Sequence, residues 1–300
     1  MKYDFNVKKM KGKVQIDVNE WEFPSSSIVE THKLSGRSYV TYISKVRALD
    51  KNIKTLKKGK FVLLSKIACD IATAPTSPYE LDGKKFYNIP YSQVMGVFRD
   101  NIVSMEILSL SSLEMLNSCL LFQKISKEQN SLLKIPDTSA TIGKVIKTSK
   151  KSNFKADDII IVKDNVSTPV RFNGIDYFAT EERSIVGLLR HNEWSLDKAK
   201  ILNQYILMKP YISENVLNST ILETPSINYE DLDYSNIYNR DLFKVYYIDE
   251  TLKNISKNDI LLLNRDYTNY LFYDNEKYFV IDSEKWISGK IIERDSICKN

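Results

Sequence analysis

A single pattern occurs three times in this chain, about a hundred residues apart, and it constrains the fold more than any local feature. The copies are Leu56-Lys-Lys-Gly59-Lys-Phe-Val-Leu-Leu64, Phe154-Lys-Ala-Asp157-Asp-Ile-Ile-Ile-Val162 and Ile255-Ser-Lys-Asn258-Asp-Ile-Leu-Leu-Leu263. Each is an apolar residue, a short polar turn and a continuous apolar run. A second block follows each: Asp82 to Tyr87 ending at Gly96, Asn173 to Phe178 ending at Gly187, and Asp274 to Phe279 ending at Gly289. Repetition at a fixed period decides architecture before local detail does. The chain therefore reads as three tandem copies of one small β module.

The 300 residues divide into three modules of about a hundred each, an ordinary domain size. At 43% hydrophobic and 27% charged, each module can bury a core. The 18 Tyr and the abundant Ile and Val favour strands over long helices. No apolar run approaches a membrane-spanning length, so no membrane segment is expected. The start of the sequence carries no basic-then-apolar signal pattern. Three scattered cysteines (Cys69, Cys119, Cys298) with no CxxC pair read as free thiols in a reducing compartment.

The formal charge of +5 is unevenly spread. Residues 1–66 carry 15 Lys and Arg against 6 Asp and Glu, a net +9. Residues 201–300 carry 11 against 16, a net −5. A basic end and an acidic end favour ordered contacts between neighbouring copies. A nucleic-acid binder working through the basic first module would show steep salt dependence. Its lysines, however, are scattered through strand-like sequence with no recognition motif.

The first module is expected over residues 1–101, with strands at Val14–Val18, Ser38–Val46, Phe61–Leu64, Phe86–Ile89 and Val94–Phe98. Residues 102–118 form an apolar connector, with a short helix expected from Ser111, whose capping box Glu114 would complete. The second module spans 119–190. A helical linker with Ser195 as N-cap is expected over 191–204, and the third module covers 205–300.

The order of these motifs resembles the GroES co-chaperonin family. The second module carries it best. Gly143-Lys-Val145 resembles the family's Gly-x-Val strand, and Phe154 to Val162 resembles its turn-and-strand block. Asn173-Gly174 to Phe178 resembles its hairpin, and Ser184 to Leu189 its closing strand. The third module matches in Tyr205 to Pro210, Ile255 to Leu263 and Trp286 to Ile292. The resemblance implies an all-β chain of three tandem GroES-like small β-barrels with short helical connectors. It also implies a homo-oligomer whose partner is a chaperonin.

The sequence offers no catalytic, cofactor or metal site. His32 and His191 stand without further ligands at metal spacing. No phosphate loop or nucleophile elbow is present. Adjacent pairs such as Asp157-Asp158 and Glu181-Glu182 point to opposite faces of a strand. The acidic Glu230-Asp231-x-Asp233 run has the chemistry to hold a hard cation, but a solvated loop is the commoner explanation of such a run. Recognition of a partner through loop tips or strand edges is the expectation. The candidate contacts are the aliphatic pairs Ile28-Val29, Leu132-Leu133 and Ile221-Leu222, together with Tyr229, Tyr234 and Tyr238. Two versions follow. One is a cytoplasmic co-chaperonin-like ring subunit. The other is a phage virion component packed into a ring or shell, in which the partners are viral structural proteins.

Overall fold

The computed structural model describes residues 11–17, 42–68, 79–81, 84–99, 109–125, 140–163, 167–189, 195–211, 242–263, 269–273, 276–283 and 287–291. These residues form an all-β protein of three antiparallel sheets. Module one holds β1 (Lys13–Asp17), β2 (Ile43–Leu49), β3 (Phe61–Leu64), β4 (Tyr79–Leu81), β5 (Lys84–Pro90), β6 (Val94–Phe98) and β7 (Leu113–Met115). Module two holds β8 (Cys119–Lys124), β9 (Ala140–Thr148), β10 (Ile159–Lys163), β11 (Thr168–Phe172), β12 (Ile175–Glu181), β13 (Ile185–Leu189) and β14 (Lys200–Ile201). Module three holds β15 (Tyr205–Pro210), β16 (Leu242–Ile248), β17 (Ile260–Leu263), β18 (Tyr270–Tyr273), β19 (Glu276–Asp282) and β20 (Ile287–Ile291).

The strand order is β4-β5-β1-β2-β3-β6-β7, then β11-β12-β8-β9-β10-β13-β14, then β18-β19-β15-β16-β17-β20. This is one topology repeated. Among the described residues no sheet closes on itself into a barrel.

The repetition extends to single backbone groups. Gly59, Asp157 and Asn258 all sit at positive φ, at +86°, +74° and +74°. Their N–H groups donate to the carbonyls of Val46, Val145 and Val245 at 2.8, 2.8 and 2.9 Å. The same three valines donate back to Lys60, Asp158 and Asp259. Gly, Asp and Asn are the residues that tolerate this left-handed geometry, which explains the divergence of type at a shared turn. Irregularities recur in the same way. The register of first against second strand shifts after Gln15, Leu121 and Leu207. That of third against sixth shifts after Leu63, Ile161 and Leu262. Bulges bend and twist a sheet at a defined point, so each module curls at the same two places.

That curl lets one face of a sheet enclose its own core. In module one this core takes Val14, Ile16, Val46, Val62, Leu64, Ile89 and Val94 from five strands. In module three, Ile206, Met208, Phe243, Val245, Leu261, Leu263, Phe279 and Ile281 do the same. Between β11 and β12, Asn173 and Gly174 both have positive φ, at +50° and +79°. This is the geometry a two-residue hairpin requires.

Two local expectations fail. Ser111 does not start a helix: Leu110–Ser112 is a single 3-10 turn, capped by the Ser109 hydroxyl, which accepts from the Ser111 N–H at 3.2 Å. Glu114 then lies on β7 and pairs with Arg99 at 3.1 Å instead of closing a capping box. Leu113 and Met115 alternate around it as buried strand residues, so core burial outweighs helix propensity. Ser195 holds the cap position of a second 3-10 turn, Leu196–Lys198, without a side-chain bond, and the chain passes straight into β14. Among their described residues the connectors are thus turns and edge strands rather than helices. The strand expected from Ser38 is described only as Ile43–Leu49.

The chain packs as two compact units, and their boundary runs through the second sheet. One unit joins module one to β8, most of β9, β11 and β12. The other joins β10, β13 and β14 to module three.

Candidate functional site at the module junctions

The described residues hold their most distinctive chemistry where one module leads into the next. At the first junction β7 pairs with β6, with Met115 opposite Gly96 and Leu113 opposite Phe98. At the second, β14 pairs with β13, with Ile201 opposite Gly187. The seventh strand of the first and of the second sheet is therefore the segment that leads into the following module. It turns out of one sheet and into the next through two left-handed residues. These are Asn117 and Ser118 at φ +50° and +53°, then Asn203 and Gln204 at +54° and +60°.

Side chains lock these turns. The Asn117 amide donates to the Tyr91 and Val94 carbonyls, both at 2.9 Å. The Asn203 amide donates to the Ile185 carbonyl at 2.8 Å. The following carbonyls are also satisfied, because Ser118 accepts from the Glu182 N–H and Gln204 from the Ser283 N–H, both at 3.1 Å. The Asn117 and Asn203 bonds tie a leader to the module before it, and the Ser118 and Gln204 bonds tie it to the module it enters, at part-buried groups where an unpaired polar atom would be costly.

The glycine that ends each sequence block has a clear task. A Cβ on Gly96 would lie 2.8 Å from Leu113 Cδ1 and 3.1 Å from the Glu114 carbonyl oxygen. On Gly187 it would lie 3.2 Å from the Lys200 carbonyl oxygen and 3.3 Å from Ile201 Cδ1. Both glycines make room for the seventh strand. Gly143, taken from the family-like Gly-x-Val motif, serves the core instead. Its Cβ would strike the Phe122 ring at 2.3 Å, so the missing side chain seats that ring.

A clamp faces each connector turn from the second strand of the incoming module. Lys147 Nζ donates to the carbonyls of Leu110 at 2.7 Å, Ser111 at 3.3 Å and Leu113 at 2.6 Å. Burial, with Arg99 nearby, pulls its pKa down. At the equivalent place in module three the Tyr247 hydroxyl donates to Asp197 Oδ1 at 3.0 Å. Burial first, and then Asp197, push that phenol up to about 12. Tyr278 stands 5.7 Å from Tyr247 and donates to Glu276 Oε2 at 2.5 Å. Lys209 Nζ reaches the same Glu276 oxygen and lies 4.6 Å from the rings of both Tyr246 and Tyr278. Hydrogen bonds from Lys209 and Tyr278 hold the Glu276 carboxyl below its usual range.

Apolar packing completes the first junction. Ile43, Leu63, Met95, Phe98, Leu113 and Met115 form one cluster with Cys119, Leu121, Val170, Phe172, Tyr177 and Ala179. A face of the second, third, sixth and seventh strands of module one thus packs on the first, fourth and fifth strands of module two. In module three the equivalent positions, Tyr205, Leu207, Leu271, Tyr273, Tyr278 and Val280, are likewise buried. Module one departs from this at two of them: Gln15 and Asn88 face each other there, amide to amide at 3.2 Å.

Burial, reinforced by Glu181 and Glu182, pushes the Cys119 thiol up to about 12, so it stays protonated at neutral pH. Among the described residues no group of His, Cys, Asp and Glu could hold a metal ion, and no helix is long and apolar enough to cross a membrane. Ile28, Val29, Leu132, Leu133, Ile221, Leu222, Tyr229, Tyr234 and Tyr238 all lie outside the described residues, as do both histidines, Cys69, Cys298 and the Glu230–Asp233 run. The junction residues escaped the sequence reading, although a signal exists. Leu116-Asn117 and Leu202-Asn203 repeat the same dipeptide just before β8 and β15. No protein-family model matches this chain, and a comparison with curated proteins finds no match.

Proposed function

We propose that this chain is a non-enzymatic assembly protein, a short array of sheet modules that serves as a structural component of a larger protein complex. One observation carries the reading: the first and second sheets each accept the leader of the next module as an edge strand. The same geometry that joins modules within the chain is suited to joining chains, because edge-strand addition supplies directional backbone hydrogen bonds together with side-chain pockets. The uneven charge, basic over residues 1–66 and acidic over 201–300, supports ordered rather than random association.

GroES-like ancestry of the module is the finer version, and the repeated order of motifs supports it. On that version the chain is a co-chaperonin-like subunit. The shared edge strands favour the other version, a ring or shell component of the kind a phage particle uses. Sedimentation velocity of the purified chain, alone and mixed with a bacterial chaperonin and ATP, separates them. The structural reading expects self-association that ignores the chaperonin. Co-sedimentation with the chaperonin would replace it with the co-chaperonin version. A strict monomer that binds neither would overturn the assembly reading.

A further inference from the structure

Among the described residues the third sheet has six strands where the other two have seven. Within these residues it ends at β20, whereas β6 and β13 are each covered by a seventh strand. This edge, beyond which no described strand lies, is built like the edges that β7 and β14 cover. Gly289 lies in β20 opposite Leu262, as Gly96 lies opposite Leu63 and Gly187 opposite Ile161. In the two complete sheets this glycine exists to admit a strand. Leu262 is 40% exposed, while Leu63 and Ile161 are fully buried at 0%. Leu242, opposite Leu262, is half-buried, whereas Ile43 in module one is buried at 4%.

The start of module one has the complementary feature. Gly12 precedes β1 as Ser118 precedes β8 and Gln204 precedes β15, and it shares their left-handed φ, at +68°. Its carbonyl accepts from the Tyr91 N–H at 2.9 Å, as theirs accept from Glu182 and Ser283. Gly12 N–H also donates to Asp50 Oδ2 at 2.6 Å, as Gln204 N–H donates to Asp249 Oδ2 at 2.7 Å. The residue that opens module one therefore has the backbone geometry and hydrogen bonds of those that open modules two and three. The leader before it reads Val7-Lys8-Lys9-Met10-Lys11, aligned with Leu113-Glu114-Met115-Leu116-Asn117 and Ala199-Lys200-Ile201-Leu202-Asn203.

Resting on the assembly reading above, we infer that β20 takes the Val7–Met10 leader of a second copy as its seventh strand, linking chains head to tail. Lys9 then stands opposite Gly289, at the place of Met115 and Ile201. Lys8 and Lys9 bring positive charge to the module whose surrounding hundred residues carry a net −5. This contact is weaker than the internal junctions. Ala48 stands where Lys147 and Tyr247 clamp the connectors, and the Gln15–Asn88 pair replaces apolar contacts. Pairing of opposite charges makes it salt-sensitive. The contact is heterologous, so it produces an open chain or, if the rotation closes, a ring.

The test is sedimentation of the full chain over a range of concentrations, at low salt and at about 0.5 M salt, where screening is nearly complete. The average mass is expected to rise with concentration at low salt and to fall with added salt. Gly289→Val blocks the acceptor edge, and the pair Lys8→Glu with Lys9→Glu spoils the leader without touching the third sheet. Each is expected to raise the concentration for half-association at least tenfold. A synthetic peptide of residues 1–13 should dissociate the wild-type oligomer. An oligomer unchanged by both variants would overturn the head-to-tail contact while leaving an assembly protein with another interface. A wild-type monomer throughout would overturn both.

Discussion

At the scale of single residues, the backbone sets the constraint and the side chain follows. Asn258 occupies a left-handed turn that Gly59 occupies without strain. Asn258→Gly is expected to stabilise the chain by about 0.5–1 kcal/mol, and Gly59→Val to destabilise it by about 1–2 kcal/mol, measured by urea unfolding. Asp50 accepts the N–H groups of Asn52 and Gly12, which lower its pKa. A depressed carboxylate pKa gives stability that is present above the unfolded value and lost as pH falls through the folded one. The stability difference between wild type and Asp50→Asn should therefore be constant near neutrality and shrink below about pH 4. In the middle module Ser149 takes this place, and its buried Oγ finds no partner. Tyr247 is the opposite case. Its raised pKa means the fold holds the proton, so its contribution is complete below about pH 10 and lost toward about 12. Absorbance titration of the wild type against Tyr247→Phe should show one phenol ionising late, and equal curves would remove the Asp197 contact.

At the scale of elements, the seventh strand decides how modules join. Gly96→Val places a Cβ and two methyls against the Glu114 carbonyl and Leu113. We expect a loss of about 1–3 kcal/mol, with the amides of β7 losing hydrogen-exchange protection before those of β1 or β2. Loss of protection across the whole module at once would show that β7 is part of its core. Lys147→Met removes donors to three carbonyls, an expected cost of about 1–2 kcal/mol. Most strands were legible beforehand because their signals are local. β3 and β6 follow from continuous apolar runs, and the β11–β12 hairpin at Asn173-Gly174 is what the resemblance to the GroES family implies. The connectors were misread for an equally physical reason. Ser111 with Glu114, and Ser195, carry good local helix-start signals. Leu113, Met115 and Ile201 are drawn into strands by an edge that lies elsewhere in the sequence. Pairing across a junction is a tertiary fact that no window around Ser111 contains. The same limit hid Lys147 and Tyr247, which look like ordinary strand residues until the turn opposite them is placed.

At the scale of the whole molecule, the three repeats do not behave as three separate bodies. The second sheet is divided, with β8, β11 and β12 in one compact unit and β10, β13 and β14 in the other. In tandem arrays the stability of a repeat rests on its neighbours as much as on itself. Removal of residues 1–118 should therefore expose the apolar face of Leu121, Val170, Phe172 and Ala179, which packs on module one. The truncated chain is expected to aggregate or to bind a hydrophobic dye, where three independent modules would leave a soluble two-module protein. The most direct measurement is native-state hydrogen exchange of the intact chain, followed strand by strand in mild denaturant. Two cooperative blocks are predicted, with β8, β11 and β12 opening together with module one, and β10, β13 and β14 opening together with module three. Three blocks matching the three sheets, each with its own opening free energy, would contradict the account.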